Sequence, residues 1–301
     1  MTVTKRRWAG GATALLLAAT LAGCASASPN SEPDSNATSS DTAAPDTILW
    51  ADEFDGPAGQ RPDDAVWVAE IGNRDDEGWG NDELQYYTDA PENASLDGDG
   101  HLVIAALPAA DGEDLPCFTV PSCPYTSARL TTAGTVALRT GRVEVRARIP
   151  NGTGLLPAIW MLGDNGEIWP AQGEIDIAEV VGGEPDTVYG TAHGPTYFNE
   201  NGIGAALELD EASGDDFHVY AVDKQRDAIT WSVDGVDYLT LTPEDLPAPD
   251  DWVFEQDMHL LLNVAVGGDW PGSPDETTAF PAEMAVDYVR MTGEGTLTPA
   301  G

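Results

Sequence analysis

A two-sheet β-sandwich is the fold class this sequence predicts, and three observations predict it. Short runs of apolar and β-branched residues recur from about residue 48 to residue 291, separated by Gly, Pro, Asn and Asp, which is the punctuation of strands and turns. No long stretch carries the helical period of about 3.6 residues. Asp234-Gly235 lies between two of the runs and reads as a hairpin turn. Many short strands joined by tight turns bury their apolar faces best as two stacked sheets.

Taken in order, the chain begins with Lys5-Arg6-Arg7, an apolar run from Ala12 to Ala22, and then Leu21-Ala22-Gly23-Cys24. A basic start and a short apolar stretch read as a secretory leader over residues 1–23, too short to stay as a membrane span. Its last four residues resemble a lipobox, which would make Cys24 the lipidated first residue of the exported chain. Cleavage after Ala25 or Ala27 would instead release the chain. Residues 24–46 are rich in Ser, Thr, Asp, Ala and Pro without an apolar period, the composition of a flexible tether. Residues 47–301 then form one large all-β domain. Strand signals fall at 48–54, 101–107, 142–149, 157–162, 174–181, 217–222, 229–233, 238–241, 259–266 and 285–291. The expected location is the cell envelope, anchored at the outer face of the membrane, or the medium. The membrane is a partner only through the lipid.

Cys117 and Cys123 sit in one Pro-rich loop of an exported chain, which predicts a local disulfide. A metal site there lacks further soft ligands. The net charge is −39, and loss of the three leader cations takes it to −42. Such a surface repels nucleic acid and anionic headgroups and suits a neutral polymer. Nothing requires more than a monomer.

The segment Trp169-Pro-Ala-Gln-Gly-Glu-Ile-Asp-Ile-Ala-Glu179 carries the chemistry. Three carboxylates are threaded through an apolar strand, where a buried charge is costly unless it is paired or used. Alternation puts Glu174 and Asp176 on one face and Glu179 on the other. One extra residue, a β-bulge, returns Glu179 to the face of Glu174. Two glutamates facing one cleft, with carboxyl groups about 5–5.5 Å apart, are what a retaining glycosidase needs. Glu174 would be the nucleophile and Glu179 the general acid and later base. Asp176 would assist by holding a hydrogen bond and separating their pKa values. Acids are 52 of 301 residues, so this spacing alone would arise by chance about once or twice.

Glu174-Ile-Asp-Ile-Ala-Glu179 resembles the bulged signature of glycoside hydrolase family 16, as found in laminarinase-type endo-β-1,3-glucanases. Further blocks in the family's order are Gly78–Thr88, Thr126–Leu130, Gly141–Arg148, Leu156–Leu162, Gly190–Gly194, Leu262–Gly272 and Val286–Arg290. The resemblance implies a two-sheet jelly roll, like that of concanavalin A, with a concave sugar cleft. It implies a retaining endo-glucanase acting on internal β-1,3 bonds of a neutral, laminarin-type glucan, without a catalytic cofactor. It also implies that Asn81, Arg129 and His193 contact sugar near the cleaved bond. Trp79, Trp160, Trp169 and Trp270 lie beside Gly, Pro or the acidic strand, where indoles would line a cleft and stack on sugar rings. Trp50, Trp67, Trp231 and Trp252 read as packing, and His101, His218 and His259 as structural. By position in the family, a structural calcium would take the carbonyls of Glu53 and Gly98 and the carboxylate of Asp287. The same chemistry on mixed-linkage glucan or a galactan is the alternative reading. A non-catalytic glycan-binding lipoprotein is a weaker one, because a binding module has no need of all three acids.

Overall fold

Two stacked antiparallel sheets carry almost all of the chain in the computed structural model, which describes residues 2–4, 47–75 and 77–298. Cys24 and the tether lie outside the described residues, as does the leader apart from Thr2–Thr4, which pairs with Ile203–Glu208. The first sheet runs in the order Val68–Glu70, Arg129–Thr131, Met258–Val266, Leu155–Gly163, Glu174–Glu179, Thr187–His193 and Ile203–Glu208. The second runs Ala94–Leu96, Leu102–Pro108, Ala282–Leu297, Val136–Arg148, His218–Lys224, Ile229–Val233 and Val236–Leu241. Ile48–Asp52 continues the edge of Ala282–Leu297 beyond Leu102–Pro108. Neighbours distant in sequence are the mark of a jelly roll, and no α-helix occurs among the described residues.

Period-2 alternation decides which side chains meet between the sheets. In Val136–Arg148, Val143, Val145 and Ala147 are buried while Arg142, Glu144 and Arg146 face outward. In the first sheet Ile159, Met161, Ile175, Ile177, Val188 and Ala192 point into the same core. Each buried Val, Ile or Met among them contributes about 1.5–3 kcal/mol by leaving water. Trp67 and Trp231 are core residues, Trp50 packs edge-on against Trp67, and Trp252 donates to the Arg226 carbonyl at 2.8 Å. His101, His218 and His259 each pair with a nearby aspartate, at 2.6, 2.7 and 2.6 Å.

Several strands differ from their sequence signals. Val136–Arg148 begins six residues before the expected position 142, because Gly141 interrupts the apolar pattern. That glycine is required: a Cβ there would lie 1.9 Å from the Thr292 carbonyl oxygen of the neighbouring strand. Thr187–His193 and Ile203–Glu208 give no clear signal because Gly and Ala dilute their β-branched content. Val68–Glu70, Gln85–Tyr87, Ala94–Leu96, Tyr125–Ser127 and Arg129–Thr131 are three residues each, too short to show a period. Asp234 and Gly235 both have positive φ, 51° and 75°, as a type I′ hairpin demands.

A disulfide joins Cys117 and Cys123. The loop that it closes docks on the chain beside the first sheet: Phe118 N–H donates to Asn73 Oδ1 at 2.8 Å. Asn73 in turn donates to the carbonyls of Glu83 and Gln85, both at 2.9 Å. This fixes the entry into the 78–88 segment, which forms one wall of the site.

Candidate active site

The ladder around Glu174–Glu179 contains one extra residue. Against Thr187–His193, Glu174 faces His193 and Asp176 faces Thr191, but Glu179 faces Tyr189. Three steps on one strand match two on the other. Against Leu155–Gly163, Trp160 faces Asp176 while Ile159 faces Ala178, leaving Ile177 as the insertion. The bulge has the parity effect required: Ile175 and Ile177 are buried in the core, and Glu174, Asp176 and Glu179 share the outer face with His193, Thr191 and Tyr189.

The acids on that face are coupled. Trp169 donates its indole N–H to Glu174 Oε2 at 2.6 Å, and His193 Nε2 lies 3.2 Å from Asp176 Oδ2. Burial pushes the Glu174 carboxyl up to about 8, with the Asp176 charge adding to the rise and His193 and Trp169 opposing it. Glu179 is pushed well above the usual carboxylate range by burial and then by Asp176. Burial alone would lower His193, but its contact with Asp176 and the charges of the three acids raise it to about 9. Donor atoms of Glu174, Asp176 and His193 lie within 4.8 Å of one another. A metal there would have to displace the proton that His193 retains.

Aromatic and cationic groups line both sides. The Arg129 guanidinium lies 4.4 Å from the Trp79 ring centroid and 4.7 Å from that of Trp160, and it is paired with Glu70. Trp160 donates to Asn263 Oδ1 at 2.8 Å, and Asn263 donates to the Tyr87 hydroxyl at 3.1 Å. Tyr87 donates to buried Glu83 at 3.2 Å. Asn81 lies against Gly268, where an added Cβ would be 2.9 Å from its Nδ2. Trp270 is 44 % exposed and meets Tyr189 edge-on, while Trp169 meets Phe198 in the same way.

Tyr189 and Phe198 lie outside the motif blocks, and Asn263 lies in the 262–272 block without being singled out there. Tyr189 could have been found by parity, since Tyr189, Thr191 and His193 share one face of their strand. The expected calcium ligands lie away from this face. Glu53 receives two bonds from Arg290, each 2.8 Å, and Asp287 accepts from Arg146. With two carbonyls and one carboxylate from the protein, water would have to complete the roughly six to eight oxygens that calcium takes.

Comparison with known proteins agrees with this geometry. The sequence profile of the family "Glycosyl hydrolases family 16" matches residues 78–290. The chain is 41 % identical over 264 residues to a β-glucanase of Rhodothermus marinus, covering 84 % of this chain and 87 % of that protein. It is 35 % identical over 267 residues to glucan endo-1,3-β-glucosidase A1 of Niallia circulans, covering 82 % of this chain but only 38 % of that longer protein. The laminarinase catalytic domain of Thermotoga maritima superposes with a TM-score of 0.75 at 43 % identity, covering 83 % of this chain and 99 % of that one.

Proposed function

Because the chain belongs to the glycosyl hydrolases of family 16, we propose that it is a retaining endo-glucanase that cleaves internal β-1,3 bonds of laminarin-type glucans. The observation that carries this reading is the bulge, which turns an otherwise alternating strand so that Glu174 and Glu179 address one face. In the first step the Glu174 carboxylate attacks the anomeric carbon while Glu179 gives its proton to the departing glycosidic oxygen. In the second, Glu179 takes a proton from water, and that water displaces Glu174 with the original anomeric configuration restored.

The Trp169 N–H and the nearby His193 charge oppose the rise at Glu174 and favour the carboxylate that the attack requires. Glu179, held protonated by burial, is suited to the acid role. Trp79, Trp160, Trp169 and Trp270 would stack on sugar rings, with Arg129, His193 and Asn81 near the rim hydroxyls. Arg129 holds the Trp79 and Trp160 rings by cation–π contacts of about 0.5–2 kcal/mol each, so R129M should loosen that wall, raise KM for β-1,3-glucan roughly ten-fold and change kcat less. An unchanged KM would remove Arg129 from the binding face.

Reducing ends and product sizes on β-1,3-, mixed-linkage, β-1,4-glucan and agarose test the substrate. Short oligosaccharides released fastest from the β-1,3-glucan are expected. Preference for another polymer would keep the mechanism and replace the substrate, and binding without cleavage would overturn both. A chelator should leave kcat unchanged, because no step needs a metal. Loss of activity restored by a divalent ion would move the chemistry to the Glu174–Asp176–His193 cluster. Calcium at Glu53, Gly98 and Asp287 would be structural and would have to draw Asp287 from Arg146; a melting temperature unmoved by added calcium rules it out. The protein acts as a monomer tethered through lipidated Cys24, and C24S should shift it from the membrane fraction to the soluble one.

A further inference from the structure

We infer that Trp231 is a positioning residue for the two glutamates: from the opposite sheet it holds the bulge that brings Glu179 to the face of Glu174. The inference rests on the hydrolytic reading above. A bulge leaves a ladder group without its normal partner, and a buried carbonyl left unpaired is costly. Here the indole N–H of Trp231, fully buried on Ile229–Val233, donates to the Asp176 carbonyl at 2.8 Å. Asp176 is the last residue before the inserted Ile177. The bond thus spans the core and ends where the register changes.

The strand opposite the bulge is built to admit this. Gly190 lies between Thr191, which faces Asp176, and Tyr189, which faces Glu179. Its missing side chain would point into the core, where a Cβ would lie 2.2 Å from the Tyr238 hydroxyl oxygen and 2.7 Å from Trp231 Cδ1. Glycine at this position therefore gives Trp231 and Tyr238 room to reach the back of the acidic strand. Burial, followed by the charges of Asp176 and Glu179, raises the Tyr238 phenol, so its ring sits electrically close to the acids as well.

W231F keeps an aromatic ring in the core and removes only the donor. It should fold and melt cooperatively, yet lose roughly 10²-fold in kcat, the scale of an ångström-sized misplacement of reacting groups, with KM for β-1,3-glucan held within about two-fold. The alkaline limb of its kcat–pH profile should move as Glu179 changes surroundings, which a general loss of stability would not produce. G190A should show the same kcat-selective loss, and G190A/Y238F should recover part of it, since the closest clash is with the hydroxyl that Y238F removes. A folded W231F with near-normal kcat and pH profile overturns the inference. If W231F fails to fold, G190A decides in its place, and full activity in G190A overturns the inference equally. E179Q, assayed in parallel, separates this from the parent reading. An active E179Q sinks the hydrolytic assignment itself, whereas an inactive E179Q beside a fully active W231F sinks only the role of Trp231.

Discussion

Glu174→Gly and Glu179→Gly should both be nearly inactive on β-1,3-glucan, and azide should separate their roles. With a β-laminaribiosyl fluoride, whose leaving group needs no acid, the Glu174 variant has lost its nucleophile. Azide then enters the vacated space from the opposite side of the ring and yields the α-glycosyl azide. The Glu179 variant still forms the ester on Glu174, and azide displaces it to give the β-glycosyl azide. On polymer, general acid catalysis is worth about 10²–10⁴-fold, so E179Q should fall by that range. E174Q should fall at least as far, because no covalent intermediate can form. Exchanged anomers would swap the two roles, and an active E174Q would end the retaining mechanism. Both side chains are half-buried rather than sealed in the core, so glutamine at either site should leave the sheet intact.

Asp176→Asn should reduce kcat by roughly 10²-fold and move the alkaline limb of the kcat–pH profile to lower pH. Glu179 is raised first by burial and next by the Asp176 charge. Asparagine removes the second cause and leaves the first, so the limb should descend without reaching the ordinary glutamate value. The rate falls for a separate reason: asparagine removes the carboxylate that faces His193 between the two glutamates. Rates from acid to alkaline pH in both proteins measure the two effects together. An unmoved alkaline limb would mean that Asp176 does not act electrostatically on Glu179.

Much of this site is legible in the sequence because parity is arithmetic. Five positions separate Glu174 from Glu179, so a shared face demands an insertion, and the insertion is present at Ile177. The reason that the bulge can exist is not legible. Trp231 follows the acidic strand by more than fifty residues and reads there as a core tryptophan, which it also is. Gly190 carries no sign of what approaches it, because the clash it avoids comes from the other sheet. Asn73 illustrates a different limit: its amide holds the carbonyls of Glu83 and Gln85, and a local motif cannot reveal which partner a loop side chain finds. Lys224 is similar. It is fully buried and donates to the carbonyls of Arg139 and Gln256, yet an isolated lysine in a strand looks like a solvated one. The three-residue strands were unreadable for want of length.

The acidic cluster also makes the protein's working parts its thermodynamic weak point. Glu174, Glu179 and His193 all hold their protons more tightly in the folded chain than in the unfolded one. For such groups the folded state is favoured while both forms are protonated and loses ground as pH rises past the unfolded values, about 4.3 for Glu and 6.5 for His, towards the raised ones. Alkaline medium should therefore loosen this fold from its catalytic face outward. E179Q, with no proton to lose there, should withstand heating at about pH 8.5 better than the active protein, and the gap should close towards about pH 4. A screen that rewarded heat resistance alone in alkali would thus select against the residue that performs hydrolysis.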